Sequence, residues 1–216
     1  IFSSSCSIYG NVKGAVSENK KPNPAGYYAY TKYKGENLIK KYSKKIGYKY
    51  SILRYFNVAG ASPSNKIGEI EKSHDHLFKN ISIQALKKKP VVRIYGNNYK
   101  TKDGTCIRDF IHVSDLADIH VKCINYLCKK KKSITLNCGY GIGYSVQEIV
   151  NIFKKIKKNC KVVYEKRRAG DVDQVYSNIK KFKKTFKWKP KYNDINKILL
   201  SSIKWERKLK KNNVKR

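Results

Sequence analysis

The feature that most restricts what this chain can fold into is a regular exchange between two patterns. Short apolar runs alternate with longer stretches in which apolar residues recur every three or four positions. Lys49–Phe56, Val91–Tyr95, Ser133–Asn137 and Lys161–Glu165 read as strands. Tyr28–Ile46, Leu77–Leu86, Ser114–Cys128 and Ser145–Lys157 read as helices, and the lysine-rich tail holds at least one more. In the first of these helices Leu38, Ile39, Tyr42 and Ile46 form a stripe, with lysines on the other side. Strands separated by helices of this length need crossover connections, so the pattern predicts an α/β fold with a mainly parallel, doubly wound sheet. Ile1-Phe2 reads as the end of a buried strand breaking into a loop at Ser3-Ser4-Ser5, and residues 1–60 as the last part of such a sheet. The chain has no methionine, even at position 1, and is expected to be a piece of a longer protein.

Charge raises the question of a nucleic-acid partner. The 216 residues carry 49 Lys plus Arg against 15 Asp plus Glu, a net +34, but only seven of the basic residues are Arg. Readers of nucleic acid lean on the planar guanidinium and set it in a recognisable module. Here lysine is spread over solvated helix positions such as Lys129–Lys132 and Lys157-Lys158, and no such module is present. The surface should hold polyanions weakly and salt-sensitively, with no specific nucleic-acid partner. At 40% hydrophobic and 12% aromatic residues the chain can build a core, which excludes a disordered polar polymer. No apolar run nears the roughly 18–20 residues of a membrane span, and the start lacks a basic signal-peptide region. Six cysteines show no C-x-x-C pair and no metal-ligand spacing. They predict reduced, mostly buried thiols in a cytoplasmic protein and no metal site.

Two stretches carry a phosphate-binding look. Strand Ser133–Asn137 leads into Gly139-Tyr140-Gly141-Ile142-Gly143 and then a helix, imitating a dinucleotide loop, but Tyr144 stands where G-x-G-x-x-G wants its third glycine. A tight strand-to-helix turn is the expectation there. The other is Lys166-Arg167-Arg168-Ala169-Gly170-Asp171, the single adjacent Arg pair of the chain. A guanidinium fork suits phosphate oxygens and an aspartate accepts from ribose hydroxyls. Arg108, in Asp103–Asp109, is a second isolated Arg among polar residues.

For catalysis the informative pattern is Y-x-x-x-K, which sets a phenol and an ammonium one helical turn apart. The ammonium favours the phenolate, so the pair can act as a base. Chance alone supplies about three matches in a chain this rich in Tyr and Lys, and five occur. Only Tyr28/Lys32 opens a helix after a proline-bearing loop (Pro22, Pro24) and follows the serine run by some two dozen residues. A hydroxyl at the carboxyl end of a parallel strand, facing such a pair, is where a doubly wound sheet places chemistry.

In order, the chain presents Phe2-Ser3-Ser4-Ser5-Cys6-Ser7-Ile8-Tyr9-Gly10, Tyr28-Ala29-Tyr30-Thr31-Lys32 and Leu53-Arg54-Tyr55-Phe56-Asn57-Val58-Ala59-Gly60. Asp103–Val113, Asn137–Gly141 and Arg167–Asp171 follow. Together these blocks resemble the UDP-glucose 4-epimerase family of the extended short-chain dehydrogenase/reductase superfamily, over nearly the whole chain. The resemblance implies the C-terminal part of a Rossmann-like doubly wound sheet plus a smaller α/β substrate-binding domain. It implies residues 1–60 as the remnant of an NAD-binding domain carrying the catalytic residues and 61–216 as mainly a UDP-sugar-binding domain, with about 112–138 packing back on the first. It further implies NAD as cofactor and a likeness to the C-terminal two-thirds of the enzyme. The glycine-rich NAD loop would lie outside this chain, so the 216 residues alone should be inactive. The implied roles are Tyr28 as base, Ser5 as proton bridge, and Lys32 on the NAD ribose, with Tyr28 and Tyr55 beside the cofactor. Arg108 and Arg168 would hold the diphosphate of a UDP-sugar, Asp171 the uridine ribose and Asn57 the sugar-phosphate. Val175, four residues beyond Asp171, would line the sugar pocket, and its modest size would admit UDP-N-acetylhexosamines. A homodimer is implied for the full-length enzyme. UDP-xylose/arabinose or UDP-glucuronate as substrate, or a noncatalytic basic nucleotide- or nucleic-acid-binding protein, are the alternatives.

Overall fold

The computed structural model describes residues 1–70 and 76–212. Strand β1 (Phe2–Ser5) leads through a short 3-10 turn (Cys6–Tyr9) and strand β2 (Gly14–Val16) into helix α1 (Tyr27–Ile46), which returns the chain to β3 (Ser51–Tyr55). β1 and β3 pair in parallel, and β8 (Ile134–Cys138) adds to the other side of β3, giving the order β1-β3-β8. Between β3 and β8 lie β4 (Asn57–Ala59), α2 (Leu77–Gln84), β5 (Val91–Tyr95), β6 (Ile107–Arg108), β7 (Phe110–His112) and α3 (Val113–Lys130). Then come β9 (Tyr144–Ser145), α4 (Val146–Ile156), β10 (Lys161–Glu165), β11 (Gln174–Ser177), α5 (Lys180–Phe186) and α6 (Ile195–Lys211). β5 pairs with β10 and β4 with β7, both in parallel, while β2-β11-β6-β9 form a fourth small sheet whose last pair is antiparallel. The expected α/β class with mainly parallel pairing is therefore what the chain adopts.

Local chemistry explains where the helices begin and end. Ser145 accepts from the Glu148 N–H while the Glu148 carboxylate accepts from the Ser145 N–H, a reciprocal cap that starts α4. Asp194 caps α6, and Gly47, at φ 87°, lets the backbone turn left-handed after α1. The main core joins Leu53 and Leu136 of the three-stranded sheet to Ile119 and Cys123 of α3, Ile149 and Phe153 of α4 and Ile198 of α6.

Two local expectations are corrected. The serine run is not a loop but the strand itself, because each hydroxyl finds a partner: Ser4 donates to Glu36 at 2.6 Å, and Ser3 accepts from Tyr55 at 2.6 Å. The apolar stripe of α1 does not face the sheet. Leu38, Tyr42 and Ile46 are 54, 47 and 70% exposed, whereas the fully buried side chains of the helix are Ala29 and Glu36.

Candidate active site

The register of the parallel pairing sets Ser5 directly beside Tyr55, so the carboxyl ends of β1 and β3 coincide. In a β-α-β crossover the helix runs back along the sheet, which brings the start of α1 to that same end. A cavity of about 680 Å³ opens there. Ser5 and Tyr28 line it together with Tyr55, Asn57, Arg108, Arg168 and Asp171, seven of the nine site residues expected from the sequence. The volume lies within the usual range for small-ligand sites.

The remaining two stand elsewhere. Lys32 does not line this cavity: its ammonium donates to the Ser3 carbonyl at 2.9 Å and lies 5.6 Å from the centre of the Tyr28 ring. Val175 is 9% exposed and belongs to a small apolar cluster with Ile8, Tyr9, Val16 and Phe56; of these, Phe56 reaches the cavity wall.

Hydrogen bonding prepares several of the lining groups. The Ser5 hydroxyl caps the 3-10 turn, accepting from the Ser7 N–H at 3.2 Å and the Ser7 hydroxyl at 3.0 Å. Both contacts use its acceptor capacity and leave its own O–H for the cavity side. The Tyr55 phenol sits 2.6 Å from both Ser3 Oγ and His120 Nε2, and burial pushes it above the ordinary phenol value. Tyr28 is 61% exposed at the mouth.

The arginine-bearing lobe forms the opposite wall. Arg108 donates to the carbonyls of Ile107 and Val172, each at 2.9 Å, and pairs with Asp171 at 3.2 Å. Its cation is thus aimed by the fold and not by a flexible tether. The adjacent arginines divide their work. Arg167 is fastened to Asn98 and stacks 3.9 Å over Tyr99, while Arg168 stacks 4.0 Å over Tyr95 and faces the cavity. The thiol of Cys106 on the same wall is pushed up by burial, against the opposing pull of Arg108, and stays neutral.

Sequence reasoning missed Tyr95, Arg93 and Gln84 in the lining, since nothing in a short strand or a helix end singles them out. It also missed Glu36, though a signal existed: it is the one acidic residue in a helix otherwise rich in lysine, eight positions beyond Tyr28. The glycine loop after β8 proves to be a clasp for the chain's own carboxylate. Asp109, fully buried, accepts from the N–H groups of Tyr140 at 2.9 Å, Gly141 at 3.0 Å and Ser177 at 3.0 Å, and from the Ser177 hydroxyl. A Cβ on Gly139 would fall 2.3 Å from Asp109 Oδ2, so only glycine fits. Among the described residues no group of three His, Cys, Asp or Glu is placed to hold a metal, and no helix is long and apolar enough to cross a membrane.

A Tyr/Lys helix start beside a strand-end serine, at the carboxyl end of a parallel sheet, is where a doubly wound α/β enzyme places its chemistry. The sequence model of the NAD dependent epimerase/dehydratase family matches residues 1–139, and the chain belongs to that family. Among its relatives, the UDP-glucose 4-epimerase of Azospirillum brasilense is 36% identical over 211 residues, covering 97% of this chain and 61% of that protein. The crystal structure of UDP-glucose-4-epimerase from Stenotrophomonas maltophila, with bound NAD and formylated UDP-arabinopyranose, superposes with a TM-score of 0.91 at 32% identity, over 98% of this chain and 64% of that one. The UDP-Glc/GlcNAc 4-epimerase of Campylobacter jejuni is similar at 37% identity and a TM-score of 0.77, over 96% and 64%. The chain thus spans a little under two thirds of the length of these relatives.

Proposed function

We propose that the protein containing this chain interconverts UDP-hexoses at sugar carbon 4, with UDP-glucose and UDP-galactose as the pair and NAD as the retained cofactor. The observation that carries this reading is the convergence of Ser5, Tyr28, Asn57, Arg108, Arg168 and Asp171 on one cavity, in a chain whose relatives are 4-epimerases. The residues present fit the cofactor. Tyr28 stands exposed at the mouth, Tyr55 lines the adjoining wall, and the Lys32 ammonium lies one turn along α1. Lys32 would hold the ribose and Tyr28 and Tyr55 would flank the nicotinamide. NAD, when bound, supplies a hydride acceptor for carbon 4 and the means to return that hydride.

The chain's own groups do the rest. Tyr28 takes the proton of the sugar 4-hydroxyl as the carbon is oxidised to a ketone and gives it back afterwards. Ser5, whose O–H is left for the cavity side, bridges that transfer. Arg108 and Arg168 hold the diphosphate, Asp171 the uridine ribose and Asn57 the sugar-phosphate. With the diphosphate held, the 4-keto sugar can turn its other face before reduction. The division of labour follows sequence: residues 1–60, with 112–138 returning to their sheet, carry the reacting groups, and 61–216 mainly the UDP-sugar.

Val175 stands behind the cavity wall, so its modest size bears on the sugar pocket only through Phe56, and UDP-N-acetylhexosamines are assayed together with UDP-xylose/arabinose and UDP-glucuronate. Six free cysteines support a cytoplasmic setting, and the exposed Leu38, Tyr42 and Ile46 stripe supports a homodimer. The 216 residues alone are proposed to be inactive, since they correspond to less than two thirds of the relatives' length. The test is to express the longest natural protein containing this chain, release bound cofactor by denaturation, and assay the panel of UDP-sugars. NAD released at about one per chain, with 4-epimerisation of a UDP-hexose, supports the proposal; a protein that binds UDP yet releases no NAD and turns over no UDP-sugar overturns it.

A further inference from the structure

Ser4, Arg54 and Asn137 lie opposite one another in three adjacent strands, a polar row running straight across the β1-β3-β8 sheet. All three are buried, at 2, 3 and 1% exposure, and Glu36 of α1 closes on them from above at 0%. Arg54 grips Glu36 with both ends of its fork, Nε to Oε1 at 2.9 Å and Nη2 to Oε2 at 2.7 Å, and Ser4 donates to Oε1 at 2.6 Å. The other arm of Arg54 donates to the Tyr9 phenol at 2.8 Å, which donates to Asn137 at 2.7 Å. The Glu36 carboxyl is held below its ordinary value by Arg54 and Ser4 despite burial, so the pair is ionised.

This cluster touches every element that carries a reacting group. Ser4 precedes Ser5, Arg54 precedes Tyr55, and Glu36 lies on the same stripe of α1 as Tyr28 and Lys32, at four-residue intervals. Within the chain the apolar keying of α1 is limited to Tyr33, packed on the cluster of Ile8 and Phe56, and Gly35, set against the Phe2 ring. Its Leu38, Tyr42 and Ile46 stripe is left uncovered by the rest of the chain, and apart from Ala29 its buried side chain is a carboxylate. A buried ion pair gives little net stability compared with well-packed apolar residues, but its two forks accept one geometry. Apolar burial is non-directional and sets the rotation of a helix less sharply than a bidentate pair does.

We infer that the Glu36–Arg54 pair is a positioning device that sets the rotation and height of α1, and so the approach of Tyr28 to Ser5. The inference rests on the proposed 4-epimerase reading. A misplacement of about 1 Å can cost on the order of 100-fold in rate, so the pair's effect should appear in kcat and leave substrate binding, which the distant arginine lobe supplies, nearly untouched.

The experiment replaces the pair by apolar residues of similar size, Glu36→Leu with Arg54→Met, in the longest natural protein containing this chain, with Tyr28→Phe assayed alongside. The expected result is a Tm equal to or above wild type, a kcat reduced about 10- to 100-fold, and a KM for the UDP-sugar within about twofold. A folded double variant with wild-type kcat overturns the inference. Should the double variant not fold, Glu36→Asp keeps the charge but shortens the reach by one methylene. A lowered kcat and a displaced acid limb of the kcat–pH profile support positioning; an unchanged kcat and profile overturn it. The Tyr28→Phe arm separates the two layers. If that variant turns over normally the functional reading itself fails; if it is dead while the double variant is fully active, only the positioning role fails.

Discussion

Replacing Arg168 by alanine tests the proposed diphosphate clamp apart from the rest of the site. Arg168 faces the cavity from a stack 4.0 Å over Tyr95, and no carboxylate is paired with it among the described residues. A charge-assisted hydrogen bond to a phosphate oxygen is worth about 1.5–3 kcal/mol net. From this the loss of the exposed cation–π stack, about 0.5–1 kcal/mol, is subtracted, because the side chain must leave the ring at least in part to reach its ligand. About 1–2 kcal/mol remains, a loss of roughly 5- to 30-fold in UDP affinity. Isothermal titration of UDP and of uridine against wild type and Arg168→Ala reads this directly. The weakening should appear for UDP, be absent for uridine, and shrink as salt is raised. Arg168→Lys, which keeps the charge without the planar fork, should fall between. Equal weakening for UDP and uridine, or none for either, would refute the assignment of Arg168 to the diphosphate.

Other consequences follow from the same geometry. Gly139→Ala should destabilise the fold by about 2–4 kcal/mol in urea melts, since a Cβ 2.3 Å from Asp109 Oδ2 breaks at least one bond to a buried carboxylate; an unchanged midpoint would mean the clasp relaxes freely. Glu36 has a folded pKa depressed below 4.5, so its contribution to stability is present above that value and is lost as pH falls through the lower folded value. Wild type should therefore lose stability on acidification more steeply than Glu36→Gln, and parallel pH profiles of the two would contradict this. Val175→Tyr adds bulk to the cluster shared with Phe56, which should crowd the cavity and lower activity on UDP-N-acetylglucosamine while sparing UDP-glucose; equal rates on both substrates would discard the specificity role.

The long elements were legible because their periodicity is local. Strands Val91–Tyr95 and Lys161–Glu165 and the helices from 114 and 145 fall within a residue or two of the pattern. The strands β2, β4, β6, β7, β9 and β11, two to four residues each, were not, since such lengths carry no repeat and are defined by what they pair with. The same distinction runs through the site. The order of blocks along the chain singles out Tyr28 among five Tyr/Lys pairs and Ser5 with it, and both line the cavity, yet Lys32's present partner, the Ser3 carbonyl, depends on a strand edge that spacing does not reveal. The two arginines at 167 and 168 look equivalent as neighbours, and only folding gives one to Asn98 and the other to the cavity. The glycine loop after β8 resembles a phosphate cradle because both are rows of exposed N–H groups; the anion it holds, Asp109, lies 31 residues from Tyr140. The exposed stripe of α1 misled for a similar reason, as the buried face of that helix is keyed by charge to Arg54.

Interconversion of the two UDP-hexoses is the decisive reaction. UDP-galactose is supplied to the longest natural protein containing this chain, and UDP-glucose is followed by a coupled dehydrogenase, for wild type and for Tyr28→Phe, with UDP affinity measured on both. Steady conversion is expected of wild type and a loss of about 10²–10⁴-fold in the variant, with UDP bound equally well by the two. Conversion that survives the loss of the Tyr28 hydroxyl would contradict the proposed function.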